Sequence, residues 1–279
     1  HRQYWRAVLV GVGAGAVALL FQQALHLAEG VRASLLTYLH GYHPAAGVFV
    51  LPVVAGVIGA FVAWCTMRFV PEAAGSGIPH VKGVLMHMSS LSWHKVLPMK
   101  FLGGLLAIGS GFSLGREGPT VQMGAAVGNA IADALRVPPK AKPRLIACGA
   151  GAGLAAAFHA PLAGFIFMIE ELQRELSALT YAMALIAAVV ADIVTTSFWG
   201  TSNAFHVTEF PAAPVSSLPV FAVVGVVAGL FGVAFNQSLV AVQKYVCSRP
   251  KASVWKRAAL IGVTVGFVAW WLPEATGGG

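Results

Sequence analysis

The chain of 279 residues is 57% hydrophobic and 10% charged, with a mean hydropathy of +0.76. A soluble domain carries about a quarter charged residues, so the composition excludes one and defines an integral membrane protein. The formal net charge of +8 does not imply nucleic acid, because the basic residues sit in short loops between apolar segments, where positive-inside bias puts them.

Uncharged stretches run from Ala33 to Met67, Leu145 to Ile169 and Phe210 to Gln243, each long enough for one or two spans of about 20 residues. They do not alternate, as the strands of a β-barrel would. The 32 glycines suit close helix packing in lipid. Cys65, Cys148 and Cys247 lie in apolar surroundings without metal-ligand spacing and read as small hydrophobes. No cofactor or metal site is expected. The chain opens on His1 and stops at Gly277-Gly278-Gly279 after a span, so a fragment or trimmed chain is expected.

In chain order, Trp5 to Leu36 predicts a long helix, Tyr38 to Ala46 a turn, and Gly47 to Val70 a second span. Ala73 to Pro79 interrupts the apolar pattern before Ile78 to Met88, which is too short to cross a bilayer. Trp93 to Leu114 is a further span and Glu117 to Leu135 a helix. A basic, proline-broken loop follows at 136–144, then two short helices, Leu145 to Phe158 and Pro161 to Leu172, meeting at His159-Ala160-Pro161. Leu176 to Trp199 spans. The connection 200–219 lacks Lys and Arg, and the last spans, Val220 to Val246 and Ala258 to Leu272, flank a loop with Lys244, Arg249, Lys251, Lys256 and Arg257. The basic loops belong in the cytoplasm and 200–219 outside, which puts the N-terminus inside.

Short helices interrupted by Gly and Pro among full spans are characteristic of transporters and channels, because irregular backbone at membrane depth must line a cavity or be satisfied by protein. Gly115-Arg116-Glu117-Gly118-Pro119 reads as a helix start, with Pro in the first turn. Free N–H groups and the helix dipole there favour an anion. A carboxylate in an apolar setting costs several kcal/mol unless paired or functional, and the adjacent Arg116 is badly placed to pair with Glu117. Gly75-Ser76-Gly77-Ile78-Pro79 offers a hydroxyl beside free N–H groups, though an ordinary N-cap serine accounts for it equally. Glu170 and Glu171 precede Arg174 by four and three residues, a helical ion-pair spacing. Adjacent carboxylates repel, which favours a proton on one of them and makes it a candidate proton carrier. Asp192, inside a span, predicts a polar contact between helices. His40, His43, His80, His87, His94 and His206 share no ligand geometry.

Taken together, Gly-Ser-Gly-Ile-Pro at 75–79, Gly-Arg-Glu-Gly-Pro with Val-Gln-Met-Gly at 115–124, and Gly149 to Phe158 with Ala160-Pro-Leu-Ala-Gly164 and Ile-Glu-Glu at 169–171 resemble the CLC family of chloride channels and chloride/proton antiporters. The resemblance implies an all-α inverted-repeat membrane fold over residues 1–279, incomplete, with 1–199 about the first repeat and 200–279 a connection and the start of the second. By resemblance Ser76, Gly77, Ile78, Arg116, Glu117 and Gly118 bind the anion, and Ser76 in place of Pro implies chloride over nitrate. Glu117 gates by competing with chloride until protonated, and Glu171 relays protons with Glu170 supporting it. The implied protein is a bacterial-type homodimer in the inner membrane, a chloride/proton antiporter and not an enzyme, its partners chloride, protons and the lipid bilayer. A Gly-x-Phe-x-Pro loop and a Tyr from the second half are expected to complete the site. The alternatives are a passive CLC-type channel and, remotely, an intramembrane serine hydrolase with Ser76 as nucleophile. His159 departs from the Asn usual in the family at that corner.

Overall fold

A computed structural model describes residues 3–172, 177–200, 213–248 and 254–277. Among the described residues it is all-helical, with ten α-helices: α1 Tyr4–Tyr42, α2 Pro44–Phe69, α3 Ile78–Leu85, α4 Trp93–Gly109, α5 Glu117–Ala134, α6 Lys142–Phe158, α7 Pro161–Phe167, α8 Ala178–Trp199, α9 Leu218–Cys247 and α10 Val254–Trp271. One unit holds α1 to α8 and all but the first residue of α10; α9 belongs to a second. Within its own unit α9 is apolar and exposed along its described length. Among the described residues, four helices are long and apolar enough to cross a membrane: α1, α2, α8 and α9.

The turn expected from Tyr38 to Ala46 shrinks to one residue. Helix α1 continues to Tyr42, and His43 alone leaves helical geometry (φ −141°, ψ 59°) before Pro44 opens α2. The proline ring disfavours a helical conformation in the residue before it, so the break falls at His43 while Gly41 is carried inside the helix. Helix α4 stops at Gly109, short of the expected Leu114, because Gly111 turns the chain with φ +106°. Its 17 residues span about 26 Å. The basic loops are shorter than expected: Lys142 and Arg144 lie in α6, Lys244 in α9, and Lys256 and Arg257 in α10. Arg249, Lys251, His206 and most of the 200–219 connection lie outside the described residues.

Helices α5 and α6 form the centre and touch backbone to backbone. A Cβ on Gly124 would overlap the Gly149 carbonyl, and one on Gly149 would overlap that of Gly124; Gly128 meets Leu145 and Gly153 meets Thr120 in the same way. The glycines recur every fourth residue on each helix, the small-residue spacing that lets helices approach closely in lipid. Gly11 and Gly15 of α1 likewise face the Ala187 and Ala191 carbonyls of α8. The main apolar core gathers here, from Ala7, Val10 and Ala14 across Ala147, Ala152 and Ala156 to Met183 and Ala187.

Helix α6 ends in mid-structure at His159, which takes a left-handed conformation (φ +51°, ψ 43°). The last carbonyls of a helix lack internal partners. Gln22, buried on α1, supplies two, its Nε2 donating to Ala156 O (3.3 Å) and Ala157 O (3.0 Å).

A short repeat also emerges. Val70-Pro71-Glu72-Ala73-Ala74-Gly75 and Leu272-Pro273-Glu274-Ala275-Thr276-Gly277 share Pro-Glu-Ala-x-Gly. Both form a 3-10 turn after a residue near φ −140° (−144° and −136°), then an extended residue, then a glycine at φ +71° or +103°. Each glycine must follow a path barred to most side chains.

A candidate anion site between two helix starts

The two glycine-rich motifs, 40 residues apart in sequence, meet in space. Gly118 packs on Ser76 so closely that a Cβ there would overlap the Ser76 carbonyl and lie 3.0 Å from its Cβ. Gly77, at φ +95°, caps α3 and lies against Gln122 of α5, whose Oε1 would be 2.6 Å from a Cβ at that position. Gly118 and Gly77 thus need to be glycine for two different reasons, close approach and backbone path.

Both helices begin with donors left over. In α5 the first N–H to enter the helical ladder is that of Thr120, to Arg116 O at 3.1 Å, and Pro119 has none. The N–H groups of Glu117 and Gly118 precede it. In α3 the ladder starts with Val81 N to Gly77 O at 3.0 Å, Pro79 again has no N–H, and Ile78 and His80 precede the ladder. Two sets of orphan donors and two positive dipole ends therefore lie at Ser76. Such an arrangement suits an anion.

The Glu117 side chain folds back over Gly115, where a Cβ would overlap Oε2 and lie 3.1 Å from Cδ. Among the described residues the ion pairs are Lys82–Glu171, Lys142–Asp133 and His159–Asp192, and none joins Arg116 to Glu117. Both are half-buried, while Ser76 is exposed. Helix α5 is stitched at its start by Thr120, whose Oγ1 donates to Arg116 O (3.0 Å) and Glu117 O (2.9 Å).

Lys100 and Arg32 lie outside the motifs, and Gln122, inside Val-Gln-Met-Gly, has no role assigned from sequence. Lys100, buried on α4, donates from Nζ to Ala73 O (3.0 Å) and Gly75 O (2.6 Å), fixing the loop that carries Ser76. Gln122 donates from Nε2 to Glu72 O (2.8 Å) and to His80 Nδ1 (3.1 Å), and His80 Nε2 in turn bonds Ser90 O (3.1 Å). With Nδ1 accepting, His80 is assigned as the Nε2-protonated tautomer. The second Pro-Glu-Ala loop has its own cation. Arg32 of α1 donates to Thr276 Oγ1 (2.6 Å) and Thr276 O (3.1 Å), while Gly277 N bonds Gly111 O (3.2 Å) and Ser113 Oγ bonds Ala275 O (2.8 Å). The repeated Pro-Glu-Ala-x-Gly was the signal that could have drawn attention to both loops.

Glu171 is not at the helix starts. It lies in a wider turn, Met168–Leu172, that continues α7, and its Oε1 accepts from Lys82 Nζ of α3 at 2.8 Å. Arg174, the pairing partner anticipated from spacing, lies outside the described residues. Glu170 is exposed beside it. Asp192, expected at a polar contact, has its Oδ1 3.5 Å from His159 Nδ1 at the corner between α6 and α7, with no hydrogen bond between them.

Broken helices that start together between full spans are the arrangement on which many polytopic transporter folds are built. The profile of the family described as "Voltage gated chloride channel" matches residues 58–279. The chain belongs to this family, the CLC family, as its three motifs indicated. The relative "H(+)/Cl(-) exchange transporter ClcA" of Vibrio cholerae serotype O1 is 38% identical over 281 aligned residues, 98% of this chain and 59% of its own length. Its namesake of Vibrio parahaemolyticus is 35% identical, over 98% of this chain and 60% of its own. The chain thus spans about three-fifths of the length of these relatives. Among solved structures, a slow cyanobacterial Cl−/H+ antiporter matches with a TM-score of 0.92 at 34% identity, covering 100% of this chain and 66% of that one. A CLC-type fluoride/proton antiporter, at 23% identity, 99% of this chain and 67% of its own, shares the fold with a TM-score of 0.82.

Proposed function

We propose that the protein of which this chain is part exchanges chloride for protons across a bacterial inner membrane. The observation that carries the reading is the packing of Gly118 on Ser76, which brings the starts of α3 and α5 together. Chloride there would be held by N–H groups at Ile78 and Gly118, with the backbone of Gly77, Arg116 and Glu117 completing the cradle, and by the Ser76 hydroxyl. Ionised Glu117 competes for the same electropositive position, and a proton on it removes both its charge and its claim. Glu171, with Glu170 beside it, is the carboxylate through which protons enter from the cytoplasm. Relatives named as H(+)/Cl(-) exchange transporters support exchange over passive conduction.

The same reading divides the membrane domain into a first inverted repeat over about 1–199 and a connection with the start of a second over 200–279, as the repeated Pro-Glu-Ala-x-Gly loop supports. It takes the working form to be a homodimer. A serine hydrolase is disfavoured because His80, the nearest histidine in sequence to Ser76, is committed to Ser90 and Gln122, while a nucleophile needs a base within hydrogen-bond reach.

The test is the full-length protein in liposomes under a chloride gradient. Proton uptake against a pH gradient is expected, and its absence alongside chloride flux would identify a channel instead. Glu171→Gln should abolish proton movement and leave chloride flux; loss of both would remove Glu171 from the proposed role.

A further inference from the structure

The two Pro-Glu-Ala-x-Gly loops both bear on α4 and its exit. The first leads directly into Ser76 and is held by Lys100 of α4. The second, 273–277, is held by Arg32 of α1 and reaches the segment that leaves α4 and enters α5. There Gly277 N donates to Gly111 O (3.2 Å) and Ser113 Oγ to Ala275 O (2.8 Å). The Arg32 guanidinium lies against both strands of this contact. A Cβ on Gly111 would be 3.1 Å from its Nη1, and one on Gly277 would be 2.7 Å from its Nη2. Two residues beyond Ser113 comes Gly115, over which the Glu117 carboxylate folds. The segment's own bonds, Gly111 N to Ile108 O, Phe112 N to Ala107 O and Leu114 N to Phe112 O, tie it only to α4 or to itself. The Phe112 ring packs over Gly59 of α2, while Ser113, Leu114 and Gly115 are exposed. Among the described residues, the hydrogen bonds that reach 111–115 from any other element come from 273–277.

We propose that the second Pro-Glu-Ala loop is a clamp on the gate: Arg32, Thr276 and Ser113 are positioning residues that hold the segment on which the Glu117 carboxylate is seated, and so keep chloride and proton movement coupled. This rests on the reading of Glu117 as the carboxylate that competes with chloride. Such a competitor works only if its backbone delivers it to the anion's position, and functional groups must be held to within about 0.5 Å by their supporting contacts. Arg32 makes the loop a firm support, because hydrogen bonds from a guanidinium are stronger than those between neutral groups. It grips Thr276 through both the hydroxyl and the carbonyl (2.6 and 3.1 Å). The Ser113 hydroxyl then passes that support to the residues leading into Glu117. With the clamp undone, the carboxylate leaves its seat without needing a proton, and chloride passes unaccompanied.

The experiment follows chloride efflux and proton uptake together for the full-length protein in liposomes, with chloride affinity measured by calorimetry on the same preparations. Ser113→Ala and Arg32→Met are each expected to lower the protons moved per chloride by at least about twofold, the lower end of what one hydrogen bond is worth as a population. Chloride affinity should not fall, because a loosely seated competitor cannot weaken its rival. Ser113→Thr, which keeps the hydroxyl, should restore the parent's ratio. In a Glu117→Gln background Ser113→Ala should add nothing, since residues acting on one step are not additive; a further change in chloride flux there overturns the clamp. The parent's ratio in either Ser113→Ala or Arg32→Met, with Glu117→Gln uncoupled, overturns the clamp and leaves the transport reading standing. A lower ratio accompanied by weaker chloride binding overturns it too, as a general loss of the site's shape. Should Arg32→Met fail to fold, Ser113→Ala, at an exposed position, decides alone. A parent that moves no protons, or coupling that survives Glu117→Gln, overturns the clamp and the reading together.

Discussion

The carboxylate of Glu117 rests where a side chain at residue 115 would be. A methyl group there evicts it without altering its chemistry. Gly115→Ala is therefore expected to behave like Glu117→Gln in liposomes, with chloride flux that responds weakly to pH and carries no protons; flux coupled as in the parent would show that the carboxylate has another seat. Lys100 makes the second prediction at this scale. It satisfies two carbonyls of the Ser76 loop from a buried position, and hydrogen bonds from a charged donor are worth about 1.5–3 kcal/mol each. Lys100→Met should weaken chloride binding, measured by calorimetry on the purified protein, by at least about tenfold. An unchanged affinity would mean that the loop holds its shape unaided. Ser76, Glu117 and Glu171 were legible in the sequence because their chemistry sits inside local motifs. Lys100 was not, because its partners are 25 and 27 residues away and a lone lysine in an apolar run has no local signature.

Helices were legible as apolar runs, and their ends less so. Composition could not show that α1 would run on through Gly41, or that basic residues counted as loop would become the first turn of α6; both are decided by proline geometry. Glycine-to-glycine contact between α5 and α6 was legible only as abundance, since nothing in one helix says which face meets the other. That contact makes a prediction about elements. Gly124→Val and Gly149→Val each force a side chain into the opposing backbone and should cost about 1–3 kcal/mol or more, read as a lower thermal midpoint in detergent. Gly30→Ala, with nothing within 4 Å of its Cβ, should be neutral or raise the midpoint, by up to about 1 kcal/mol from helix propensity. Equal effects at the packed and open positions would refute the close contact.

For the whole molecule, three motifs in order sufficed to identify the family, yet the way distant segments fasten the loops was out of reach of any local pattern. The clearest case is Arg32, whose side chain ties down Thr276 at a separation of 244 residues. Arg32→Met should speed amide hydrogen exchange at Gly277, whose N–H bonds Gly111 O, and leave exchange around Val81 unchanged; protection retained at Gly277 would mean the guanidinium is dispensable. The two Pro-Glu-Ala loops also differ in when they can be fastened. Lys100 follows the first by 25 to 27 residues, whereas the second cannot meet Arg32 until Thr276 itself has been made. Domains form from the N-terminus as synthesis proceeds, at about 5–20 residues per second. The Ser76 loop can thus acquire its cation within seconds of leaving the ribosome, while Arg32 waits through the synthesis of the nine further described helices α2 to α10, among them both partners of the central α5–α6 contact.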